Sequence, residues 1–283
     1  MTYRRLALFA SAALMFAAGC SSTSSGDSQA GGSPSPSGAA AYQPKAGVCL
    51  KVLGDIERVT QERHLDKVVD CTAPHSLQIV GGGELGSDGA STEAMDKAYA
   101  ECDGMARKFL GGADWRGGRL DIKVVYAKTT PPGATRWWEC DLVPYNDYTR
   151  PASTSQDLSG GIPATLRYGC QTANENENDE IVDIQEVACS TPHHAEYAGA
   201  VVLPAGTEYP SSEASWEPIH DACNDVVAKF VGLPKTSSKL SYYSDLMRGE
   251  SDWAKRRDVR CFVYFWPKKM TGSAKGKGKN VPW

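Results

Sequence analysis

The sequence holds no Gly-x-Ser-x-Gly elbow, no His-Glu-x-x-His pair, no Walker-type loop and no Cys-x-x-Cys. Those absences remove the usual signatures of serine hydrolases, zinc peptidases, P-loop nucleotide binding and zinc ribbons. The glycines of "GGGEL" at Gly81–Leu85 lead into no lysine-bearing helix start, so they read as a strand bulge. A strong positive charge is missing too. The whole chain carries a formal charge of −4; without residues 1–19, which hold two arginines and no acid, 28 basic residues face 34 acidic ones. A body of that sign does not suit nucleic acid.

What is present begins at residue 1. Arg4 and Arg5 precede the apolar run "LALFASAALMFAA", and "AAGC" follows, ending at Cys20. Residues 1–19 have the proportions of a signal peptide, and Cys20 sits where a bacterial lipoprotein signal places its lipid-modified cysteine. Ala17 stands where leucine is more usual, and the Arg pair leaves the export route, general or twin-arginine, open. Residues 20–45 are rich in Ser, Gly, Ala and Pro, too polar to repay the entropy of ordering. They read as a flexible tether with a reach of roughly 25–30 Å. The expected location is the outer face of the cell membrane, held by lipid.

Eight further cysteines fall into two sets: Cys49, Cys71, Cys102, Cys140, then Cys170, Cys189, Cys223, Cys261. Three positions are related by an offset of 121 residues and the fourth by 118. "CDGMARKFLG" from Cys102 matches "CNDVVAKFVG" from Cys223, and "CTAPH" at 71–75 matches "CSTPH" at 189–193. The chain reads as one domain used twice, at 46–146 and 166–268, with a polar linker at 147–165 and a basic tail at 269–283.

Each copy shows one amphipathic helix. Apolar residues recur at helical spacing from Met95 to Leu110 and from Ile219 to Phe230. Pro218 suits a first helical turn, and Gly111 and Gly232 suit left-handed helix ends. Four strand-like stretches accompany each helix: "LDKVVDC", "LQIVGG", "LDIKVVYA" and "WWECDLV", then "IVDIQEVAC", "EYAGAVVL", "KLSYYS" and "VRCFVYFW". The fold class is α+β: two tandem small domains, each one helix on a mainly antiparallel sheet, stapled by disulfides. Four cysteines per copy allow three connectivities, and the sequence does not choose. Pairing neighbours (Cys49–Cys71, Cys102–Cys140, Cys170–Cys189, Cys223–Cys261) rests only on joining consecutive elements.

"AGVC" ending at Cys49, "CTAPHSLQ" at 71–78, Cys102 and "RWWEC" at 136–140 together resemble the septum formation-related domain of actinobacterial membrane proteins and lipoproteins. In the second copy the counterparts are "YGC" ending at Cys170, "CSTPHHAE" at 189–196, Cys223 and "RDVRC" at 257–261. Copy one departs from the pattern at Gln78, where Glu is usual. Copy two alone keeps Trp253, and it lacks the Ala-Gly of the first motif. The resemblance implies an envelope protein linked to division septa, with no reaction, cofactor or ligand.

The candidate binding residues are His75, His193, Glu196, Arg136 and Arg257. The leading reading makes Pro-His a fold signature, with proline turning the chain and histidine bonding a backbone carbonyl. The competing reading is a surface hydrolase or metal protein using His193, His194 and Glu196. Against it, copy one offers Ser76 and Gln78 at the matching places, and an amide cannot replace a carboxylate in proton chemistry. No cofactor and no metal site is expected, since an oxidising exterior turns the thiols into disulfides. "NENENDE" at 174–180 lacks the spacing of a calcium loop and reads as a solvated turn. The tail, with five lysines from Lys268 on and no acid, reads as unstructured and able to reach anionic polymers or lipid head groups. The expected partners are the membrane, through the lipid, and an envelope protein or wall polymer.

Overall fold

The structure is a computed structural model. It describes residues 44–52, 66–85, 89–126, 136–146, 150–176, 181–237, 240, 242–246, 249–253 and 255–282. The expected signal peptide, Cys20 and nearly all of the expected tether lie outside the described residues. Among these residues no helix is long and apolar enough to cross a membrane.

In chain order the first half contains β1 (Cys49–Lys51), β2 (Lys67–Val69), β3 (Leu77–Glu84), α1 (Thr92–Phe109), β4 (Leu120–Tyr126) and β5 (Trp137–Pro144). The second contains β6 (Cys170–Glu175), β7 (Ile181–Val187), β8 (Ala195–Val202), α2 (Glu213–Val231), β9 (Tyr242–Leu246), the short α3 (Glu250–Trp253) and β10 (Asp258–Tyr264). The sheets have the same topology, β2-β1-β3-β5-β4 and β7-β6-β8-β10-β9, and every pairing is antiparallel. The α+β class therefore holds, with five strands per sheet rather than four. The added strands, β1 and β6, lie inside their sheets.

Each helix lays its apolar stripe on one face of its sheet. Ala98, Cys102 and Ala106 of α1 meet Ile122, Cys140 and Leu142; Ile219, Cys223 and Val227 of α2 meet Val259, Cys261 and Val263. Disulfides Cys102–Cys140 and Cys223–Cys261 pin helix to sheet, and Cys49–Cys71 and Cys170–Cys189 tie β1 and β6 to the Pro-His turns. Bridges closing loops of this length contribute about 3–4 kcal/mol each on the chain-entropy model. The Gly81 bulge is present: the β3–β5 register shifts between Ile79 and Gly81, and the β8–β10 register shifts at the equivalent place, between Tyr197 and Gly199. Gly111 and Gly232 follow the helices with positive φ, 65° and 79°.

Three expectations change. Pro218 lies inside α2, not in its first turn. The helix starts earlier because Ser212 and Ser215 form a capping pair, the Ser212 N–H donating to the Ser215 hydroxyl at 3.0 Å. The linker is not a spacer: Leu158 is fully buried and belongs to the core beneath α1. The basic tail is likewise folded, with Met270, Ala274 and Val281 buried in the second core. Both segments looked polar because few of their residues face inward.

The two segments are one element used twice, here called straps. His75 and Thr154 exchange backbone hydrogen bonds at 2.9 and 3.0 Å, and His193 and Met270 exchange theirs at 2.9 Å each. Gly160 N–H donates to the Phe109 carbonyl, and Gly276 N–H to the Phe230 carbonyl. Each strap thus starts at the Pro-His corner and ends at its helix's last turn. Of "NENENDE", residues 174 and 175 end β6, and residues 177–180 lie outside the described residues.

Candidate functional site

The Pro-His corner is built the same way in both halves. A turn over Asp70–Ala73 closes with Ala73 N–H on the Asp70 carbonyl, and Asp70 Oδ1 also takes the Thr72 N–H and hydroxyl. Those donors hold the Asp70 carboxyl below its ordinary range. In the second corner the Thr191 N–H and hydroxyl both donate to the Ala188 carbonyl. Proline then sends the chain inward. His75 Nδ1 lies 2.9 Å from the Ala73 carbonyl, and His193 Nδ1 lies 2.8 Å from that of Thr191. Only a protonated nitrogen can donate to a carbonyl, so Nδ1 carries a proton in both rings. Both rings are wholly buried, and neither Nε2 has a hydrogen-bond partner among the described residues.

The next residue differs between copies and yet does the same work. Ser76 Oγ accepts the Val52 N–H at 3.3 Å, and His194 Nδ1 accepts the Ala173 N–H at 3.1 Å. Val52 and Ala173 are equivalent, each three residues past the first cysteine of its copy. His194 also packs on the Trp266 ring, 4.5 Å between centroids.

Two residues further on, Gln78 and Glu196 hold the straps. Gln78 donates to Asp157 at 2.8 Å and accepts the Leu158 N–H at 2.8 Å. Glu196 accepts the Ser273 hydroxyl at 2.5 Å and the Ala274 N–H at 2.6 Å. The carboxylate has changed places: copy one puts the amide on the strand and the acid on the strap, while copy two puts the acid on the strand and a hydroxyl on the strap. Each corner keeps a single carboxylate in this exchange, with every donor facing an acceptor. The Gln78 amide and the Ser159 N–H hold the Asp157 carboxyl below its ordinary range.

Arg136 and Arg257 are not part of the corners. They sit where β5 and β10 begin, beside the far ends of β3 and β8, a strand length of roughly 25 Å from the histidines. Arg136 is exposed, and Arg257 donates to the Thr207 carbonyl at 3.0 Å. A cleft of about 270 Å³ opens near that end of β3, lined by Glu84, Glu101, Lys97 and Trp138. Trp253 is buried under α2 and donates to the Thr207 carbonyl as well.

A second constellation, absent from the candidate set, joins the two halves. Arg116 is 3% exposed in side chain and pairs with Asp258 at 2.6 Å, Asp103 at 2.7 Å and Asp114 at 3.1 Å. Arg256 bridges Asp258 at 3.0 Å and Asp121 at 2.9 Å. Arg260 reaches across to the carbonyls of Arg116, Gly118 and Leu120 while pairing with Asp245 at 3.1 Å. The Arg116 and Arg256 guanidinium groups both lie over the Trp115 ring, 4.4 and 4.7 Å from its centre. Burial raises the Asp103 carboxyl, but Arg116, the Trp115 N–H and Arg107 outweigh it and leave the group below its ordinary range. Backbone bonds from Arg119 to Leu166 and from Tyr168 to Gly117 complete the seam. The clue in the sequence is "RRDVRC", four charges crowded at the start of a strand that also reads as core.

Cys170, Cys189 and Glu196 bring three ligand-type atoms within 4.8 Å of one another. Both sulfurs are joined in a disulfide and the carboxylate is engaged by the strap, so as built these residues do not fit a metal.

A family model described as "Septum formation" matches residues 89–261. The chain belongs to the septum formation family. The matched span runs from just before α1 to Cys261, taking in the second corner and the first strap. Every residue of the buried ion cluster, from Asp103 to Arg260, lies within the septum formation match. No curated protein and no solved structure matches the chain.

Proposed function

We propose that this septum formation family member is a non-enzymatic, lipid-anchored envelope protein that binds a protein or wall-polymer partner during septation. The observation that supports it is the use of the corner residues. Ser76 and His194 accept backbone N–H groups, and Gln78 and Glu196 clamp the straps, so the duplicated side chains serve the fold rather than a substrate. Glu196→Gln separates this reading from catalysis. A glutamine there can accept from Ala274 and donate to Ser273, preserving the clamp while removing the proton acceptor. In a strain whose only copy carries Glu196→Gln, septa should form with normal frequency and spacing. Loss of septation with the protein still folded and at normal level would sink the proposal.

The alternative, a hydrolase or metal protein at His193, His194 and Glu196, is favoured by one observation: the buried, unpartnered His193 Nε2. A stoichiometric zinc content in the exported protein, lost in His193→Ala, would decide for it.

A further inference from the structure

We infer that the second strap is a membrane-contact element whose lysines engage an anionic phospholipid surface. The duplication supplies the control. Both straps perform the same structural task, pairing with the corner histidine, meeting the clamp and closing on the helix end. Residues 154–163 do it with no basic residue and one acid, Asp157, whereas residues 270–279 carry Lys275, Lys277 and Lys279 and no acid. Holding the strap therefore does not require lysine. Lys268 and Lys269 extend the run just before it.

The fold turns this charge into a fixed track. Met270, Ala274 and Val281 point into the core, and backbone bonds from Ala274 and Gly276 pin the path between them. Lys275, Lys277 and Lys279 are all exposed, alternate with Gly276 and Gly278, and make no ion pair among the described residues. Five lysines in one short segment stand against a chain whose formal charge is −4. Such a patch faces a negative surface and turns the acidic remainder away. Because the lysines ride on an ordered strap, little backbone entropy is lost when they meet head groups. The exposed residues beside them are lysine, threonine, glycine and asparagine, so contact is electrostatic rather than insertive. The inference itself does not depend on a role in septation.

The test uses the full exported chain with Cys20→Ser, so that no acyl chain contributes. Cosedimentation is measured with phosphatidylcholine vesicles containing phosphatidylglycerol, with phosphatidylcholine alone, and with inorganic polyphosphate as competitor. Binding only to the anionic vesicles, weakening as salt rises, is expected. The combined variant Lys275→Gln, Lys277→Gln, Lys279→Gln should bind about a hundredfold more weakly with an unchanged melting temperature, and the same positions as Arg should restore binding. Equal binding by the Gln variant, or no binding by the parent, overturns the proposal. So does tight capture of polyphosphate without vesicle binding, which would make the partner a soluble polyanion.

Discussion

At the scale of single residues, the two corners show that identity and role are separable. Ser76 and His194 are chemically unlike, yet each accepts the N–H of the equivalent residue, Val52 in one copy and Ala173 in the other. Gln78 and Glu196 differ in charge, yet each holds a strap N–H. The cost of losing the clamp follows from the buried donor left behind. Gln78→Ala and Glu196→Ala should each destabilise the protein by about 1–3 kcal/mol, whereas Glu196→Gln should stay within about 0.5 kcal/mol of the parent. Urea unfolding followed by tryptophan fluorescence measures all three. If Glu196→Gln were as damaging as Glu196→Ala, the exchange of acid and amide would not be the compensation described above.

At the scale of elements, much was legible. The helices announced themselves through periodicity and the cysteines through a repeated spacing, because both signals are local or countable. β1 escaped notice, being three residues long, and β6 because "CQTANE" is polar and no alternation marks it. The straps read as linker and tail for a related reason: Leu158, Met270 and Ala274 are isolated apolar residues among Gly, Ser and Lys, and only their partners reveal them. "RRDVRC" marks the seam in the sequence, but its partners across the halves do not show there, because those Arg–Asp pairs join residues 135 and 142 apart. The two kinds of disulfide also carry a prediction. Cys102–Cys140 and Cys223–Cys261 are wholly buried, whereas Cys71 and Cys189 are partly exposed. A dithiol under native conditions should therefore open Cys49–Cys71 and Cys170–Cys189 first, as read by alkylation and intact mass. Simultaneous opening of all four would mean that reduction proceeds through global unfolding.

For the whole molecule, the seam makes the two halves one body rather than two beads on a string. Removing one partner from a buried ion pair costs about 3–5 kcal/mol, so Arg116→Ala should reveal how far the halves depend on each other. Calorimetry of the parent should show one cooperative transition, and Arg116→Ala should lower it or split it in two. Two independent transitions in the parent would contradict the seam's importance. Acid should act in the same place. The Asp103 carboxyl is depressed in the folded state from an ordinary 3.8, so the stability it contributes is full above that value. It is lost as pH falls below about 4 and the folded group takes up its proton. Asp103→Asn should flatten that acid limb, while an unchanged limb would assign it to other carboxylates.

The seam also has a consequence in time. Arg116 meets Asp258 142 residues later in the chain, so the pair closes only once almost the whole chain is free to fold. Until then its side chain and the Trp115 ring beneath it lack the other half of their setting. The first half can form its helix, sheet and strap early, with Arg116 paired to Asp103 and Asp114, yet the Asp258 partner arrives only with the second half. This protein is finished late, and both halves are finished together.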